Sequence, residues 1–217
     1  MPTQSDYFVL LTSYDEGAFS ATFDGNLFHR TFEMKLGIPC RQNWPANPVL
    51  LNTDPEIFAT GPRLHDLVGN TMGWLIASAP LRAIISRHCA SEEIEWLETA
   101  LETEPKKKKR PAVRVDGWAV GNPLGARPAV DRERSDIDMD SVIKDQVKNV
   151  RRLVLAPELA EGGPALFRAA DMRRFLFVRS DLAAELRAAK MTGGVLVPSG
   201  EFRTLASGSP VMPATTA

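Results

Sequence analysis

Few side chains in this sequence stand at spacings that chemistry requires. Asp136, Asp138 and Asp140 in SDIDMD have the i, i+2, i+4 spacing that opens an oxygen-ligand calcium loop, yet the glycine and distant glutamate that complete such a loop are missing. On an extended chain these carboxylates would share one strand face. In a solvated turn they would favour the N-terminus of a following helix. As an acidic contact surface for a basic partner they would raise association rate and specificity more than affinity. His88 and Cys89, with Cys40 and His65 elsewhere, carry zinc-ligand atoms but form no C-x-x-C or H-x-x-x-H pair. Neighbours on a helix point about 100° apart, so Cys89 reads as core and His88 as a polar flank.

The remaining constellations are equally bland. Lys106 to Arg110 has the charge of a phosphate-binding strip, but no aromatic residue is interleaved with it, so a solvated hairpin tip is the simpler reading. Thr192-Gly193-Gly194 follows a helix pattern instead of preceding one, which aims no helix N-terminus at a phosphate. No Gly-x-Ser-x-Gly elbow occurs around a serine. An enzyme or nucleotide-binding accessory protein would have to assemble its site from dispersed residues such as Asp116, Asp131, Arg134 and Arg168.

The elements that position these residues are short. Phe175 to Val178 is an apolar run of strand length, Ser180 and Asp181 offer N-cap oxygens, and Leu182, Leu186 and Ala189 follow at helical spacing. Gly193-Gly194 then breaks the helix, and Val195 to Val197 returns as a strand closed by Pro198. The same order occurs about a hundred residues earlier: WLIAS as a strand, Ser78 as cap for the helix APLRAIISRHC, and Ile94 to Leu101 as a strand. Strands are also predicted at Tyr7 to Leu11, Ala18 to Phe23, Val113 to Leu124 and Leu153 to Leu155. A short helical stretch is expected after Ser141, and residues 37–62 read as an irregular connection anchored by Trp44 and Phe58. The segment from Thr204 lacks large side chains and reads as a flexible tail. The fold class is α+β: mainly antiparallel sheets with a few short helices, and possible strand-helix-strand lobes at 1–104 and 105–203 of one domain.

The chain has 217 residues, 44% of them hydrophobic, enough for a real core. Its net charge of −1 conceals a split: residues 1–104 carry 6 Lys+Arg against 14 Asp+Glu, whereas residues 105–217 carry 20 against 13. That polarity argues against a uniformly basic nucleic-acid surface. Without a signal-like leader or a long apolar segment the protein is expected in the cytoplasm, with no membrane partner and with Cys40 and Cys89 reduced.

The order of segments resembles a bacterial immunity-protein family of polymorphic-toxin and secreted-effector systems, the myxobacterial type, long catalogued as a domain of unknown function. The likeness is carried by WLIASAPLRAIIS, by IEWLETALE, and by Trp118, Asn122, Asp131 and Ser135. It continues through Leu153 to Leu155, Leu166 to Arg168, Val178 to Ser180 and Thr192 to Val197, so that it covers most of residues 65–200. The resemblance implies a non-enzymatic protein that binds one cognate toxin, encoded next door, and blocks its active site or motion. It implies no catalytic residues, metal, cofactor or nucleic-acid partner. The matched residues look structural, and Asp136, Asp138 and Asp140 are the assigned partner contacts.

Overall fold

Alternation along a single strand shows how the sheets are buried. In β1 (Tyr7–Thr12), Tyr7, Val9 and Leu11 enter one apolar core while Phe8 and Leu10 reach another on the opposite face. A computed structural model of the chain describes residues 7–13, 18–23, 27–46, 49–52, 63–103, 112–159 and 162–213. Lys106 to Arg110 and Phe58 lie outside the described residues.

β1 sits inside a four-stranded antiparallel sheet with β10 (Leu166–Arg168), β11 (Leu176–Arg179) and β12 (Gly194–Pro198), in the order β10-β11-β1-β12. A closed six-stranded barrel stands beside it. Its order is β2 (Ser20–Phe23), β3 (Val49–Asn52), β6 (Ile94–Thr103), β7 (Arg114–Pro123), β5 (Leu75–Ala77) and β4 (Leu67–Asn70). Among the described residues the parallel strand pairs are β2-β4 and β3-β6, with isolated parallel bridges at Ala18-Arg63 and Arg127-Ala169. A separate hairpin joins β8 (Asp136–Met139) to β9 (Val147–Arg152), and the helices are α1 (Phe28–Lys35), α2 (Ala79–His88) and α3 (Ser180–Ala188). The fold is α+β with mainly antiparallel sheet.

The two strand-helix-strand patterns share a topology. β5 and β6 both pair antiparallel with β7, which lies between them, while β11 and β12 both pair antiparallel with β1. Each helix therefore crosses over one inserted strand. The inserted strand follows its unit in the first case and precedes it in the second, so the sheets do not divide at residue 104. α2 and α3 meet over a common core containing Leu81, Ile85, Leu182, Ala183 and Leu186. The barrel is filled by Phe19, Met34, Trp74, Ile76, Leu97, Trp118 and Val120.

Several expectations need correction. Ser78 does cap α2, accepting from the Leu81 amide at 3.3 Å, and Pro80 lies in the first turn. Ser180 is not a cap: the N-cap of α3 is Arg179, whose guanidinium instead clamps the Asp181 carboxylate at 2.9 and 2.8 Å. No helix follows Ser141, because Asp140 holds the next amides in a turn and β-branched Val142 and Ile143 disfavour helix there. The strand placed at Leu153 to Leu155 is β9 instead. It ends at Arg152, and Leu155 makes only an isolated bridge to Val130. β3 lies within the stretch read as irregular, and α1 forms without a clear helical pattern in the sequence because its apolar spacing is broken by His29, Arg30 and Glu33. Of the segment read as a flexible tail, residues 204–213 are described: the Thr204 amide donates to the Val150 carbonyl at 2.9 Å, and the Leu205 amide donates to the Ser209 carbonyl at 2.8 Å.

Candidate functional site

The β8-β9 hairpin is where the three aspartates fall, and its sequence explains its shape. Ile137, Val147 and Val150 turn inward against the core beneath the four-stranded sheet. At the tip the Asp140 carboxylate accepts from the Val142 and Ile143 amides at 2.7 and 2.9 Å, and Asp145 adopts φ 60° to turn the chain. The turn end is anchored to the body by Gln146, whose side-chain amide donates to the Ala170 carbonyl at 2.7 Å, and by the Val147 amide on the Asp171 carbonyl at 2.8 Å.

Asp136 and Asp138 share one flank of the extended chain, where Arg151 of β9 spans both, at 2.9 Å to Asp136 and at 2.8 and 3.0 Å to Asp138. Arg151 and Asn149 hold the Asp138 carboxyl below its ordinary value, and the Ile143 and Val142 amides do the same for Asp140. The Arg151 guanidinium is pushed up in turn by both carboxylates. The structure thus brings two of the three aspartates together on a shared arginine, whereas Asp140 serves the turn. What the spacing did not reveal is the tip. Val142 is 89% exposed, with Ile143 and Met139 exposed beside it. A β-branched pair following an Asp that caps a turn was the available signal.

The residues of the family-like motif serve the frame. Asn122 on β7 donates to the Glu95 carboxylate at 2.7 Å and to the Ile38 carbonyl at 2.9 Å. Glu95 also receives the Cys40 and Arg41 amides, so the chain after α1 is tied to the barrel. Asp131 accepts from the Glu133 and Arg134 amides, and the Ser135 hydroxyl bridges both backbone groups of Val154. Thr192 and Gly193 stitch the two sheet systems together. Thr192 donates its amide and hydroxyl to Asp66, which also receives the Ser78 hydroxyl. Burial alone would raise the Asp66 carboxyl, but these donors hold it below the ordinary value. Gly193 has φ 77°, and a side chain there would collide with the Leu67 carbonyl.

The dispersed residues weighed for an enzyme occupy different settings. Asp116 pairs with Arg114 on an exposed part of β7, Asp131 and Arg134 belong to one turn, and Arg168 is buried in β10. Cys40 lies in the barrel core and Cys89 between α2 and α3; burial pushes these thiols up to about 12 and about 11, which keeps them protonated. His88 bridges the helices, 2.5 Å from Glu185 and 3.3 Å from Asp181. Among the described residues no group of three or more His, Cys, Asp or Glu is placed to hold a metal, and no helix is long and apolar enough to cross a membrane.

The arrangement offers a frame whose motif residues hydrogen-bond within it, together with a hairpin whose turn exposes Val142 and Ile143. No curated protein matches the chain. The immunity protein family Imm11 matches it over residues 17–200, a span that includes the barrel, the hairpin and every strand of the four-stranded sheet except β1. The chain belongs to the Imm11 immunity protein family.

Proposed function

We propose that this protein acts in the cytoplasm of the producing cell by binding one cognate toxin or secreted effector and blocking its active site or a required movement, without catalysis of its own. The observation that carries this reading is the family match across residues 17–200. The docking element is the β8-β9 hairpin. Its exposed Val142 and Ile143 form the centre of the contact, and Asp136, Asp138 and Asp140 form a polar rim that orients a toxin bearing basic residues. A desolvated apolar anchor supplies most of the affinity of such contacts, whereas rim charges already paired with Arg151 contribute specificity and approach rate.

The test is co-expression with the effector encoded beside this gene. The expected result is restored growth and a stable complex with a dissociation constant near or below the nanomolar range. A protein that forms no complex, or forms one without restoring growth, contradicts the proposal.

A further inference from the structure

A cavity of about 530 Å³ opens between the barrel and the four-stranded sheet, with Leu10, Trp74 and Phe175 on its walls and Lys35 and Arg174 among its polar groups. Behind the wall stands Arg168, only 1% exposed. Its guanidinium donates to the carbonyl of Gly73, a wall residue, at 3.0 Å and to the Arg173 carbonyl at 2.9 Å, while its Nε is buried without a partner. Arg174 lies at the exposed rim, where it donates to the Gly208 carbonyl.

The charge balance of this place is lopsided. Burial, then the Arg168 and Arg174 charges, push the half-buried Lys35 ammonium down, and burial pushes Arg168 down to about 10. Among the described residues, Lys35, Arg168 and Arg174 form no ion pair with a carboxylate. The C-terminal end of α1 gives Lys35 only a fractional counter-charge. Cations held away from water without a counter-ion are costly, and an arriving anion interacts with them at a reduced effective dielectric.

We infer that this cavity binds a small amphiphilic anion, a carboxylate or phosphate monoester whose head meets Lys35 and Arg174 and whose apolar body lies against Leu10, Trp74 and Phe175. The volume suits a ligand of modest size. The assignment of this site does not rest on toxin binding: no residue of β8 or β9 lines the cavity, although Gly208, whose carbonyl Arg174 binds, adjoins the Lys148 carbonyl of β9.

The experiment titrates the full chain with octanoate, octyl phosphate, octylammonium and octanol by calorimetry and by thermal shift. One or both anions should bind with one-to-one stoichiometry; which of them binds more tightly identifies the head group. Octanol and octylammonium should bind at least about tenfold more weakly, and Lys35→Met or Arg174→Gln should weaken the anion by about tenfold each. Lys35→Met should also raise the melting temperature of the ligand-free protein by removing an uncompensated cation, which shows that the variant folds. Failure of both anions to bind at millimolar concentration overturns the inference, as does octanol binding as tightly as octanoate. If neither anion binds and Lys35→Met instead weakens the toxin complex, the cavity belongs to the toxin interface and the inference is again overturned.

Discussion

β11 and β8 are both four-residue strands, and they sit in opposite surroundings. β11 lies between β10 and β1 and is buried on both faces, with Phe177 in one core and Leu176 and Val178 in the other. β8 pairs with β9 alone, buries Ile137 inward, and leaves Asp136 and Met139 exposed. A strand packed from both sides has no surface left for a partner. The hairpin holds its shape through the Asp140 turn, the Arg151 clamp and one apolar face, so its outer side is free to be recognised.

The contrast predicts very different responses to substitution. Phe177→Ala leaves a void beside Tyr7 and Phe167 and should cost about 3–5 kcal/mol, read as a lowered denaturant midpoint. A loss under about 1 kcal/mol would mean that the sheet is not packed on both faces as described.

Within the frame, the two crossover helices sharpen the comparison further. Ser78→Ala removes the α2 cap and one donor to Asp66 and should cost about 1 kcal/mol, whereas Ser180→Ala should stay within about 0.5 kcal/mol. Equal losses would show that both serines cap their helices.

The smallest effect concerns the seam between those helices. Arg179, with His88 and the Leu182 amide, holds the Asp181 carboxyl below its ordinary value against the cost of burial. Because the folded value is the lower one, this stabilisation is present above about pH 4 and is lost as pH falls below it. Asp181→Asn should therefore melt about 2 °C lower than the parent at neutral pH and approach it in acid. A difference that does not shrink as the pH falls from about 4 toward 2 would assign the effect to packing instead.

The sequence made the frame legible where apolar runs were bounded by turn signals. Tyr7 to Leu11, Ile94 to Leu101 and Val195 to Val197 fall on strands, the run Trp74 to Ser78 holds β5 at Leu75–Ala77, and Ser78 is a true cap. It was less legible where tertiary pairing decides. β3 and β4 are four residues each and are held between two partners apiece, one antiparallel and one parallel, the parallel one distant in sequence. Ser180 misled because a serine before a helical pattern reads the same whether or not Arg179 takes over the neighbouring aspartate. The acidic stretch reads equally as a solvated turn before a helix, whereas Asp136 to Met139 is a strand, and its pairing with Arg151 depends on a hairpin register that spacing alone does not encode. The apolar tip escaped notice because Val142 and Ile143 look like core residues until the turn exposes them.

The central claim is that the frame supports and the hairpin binds. Its most direct test is the affinity of Val142→Asp/Ile143→Asp for the cognate toxin, measured beside the parent and beside the melting temperature of the free protein. The account predicts a melting temperature within about 2 °C of the parent and a loss of affinity of about 100-fold or more. Unchanged affinity in a fully folded double variant would contradict it and place the docking surface elsewhere on the molecule.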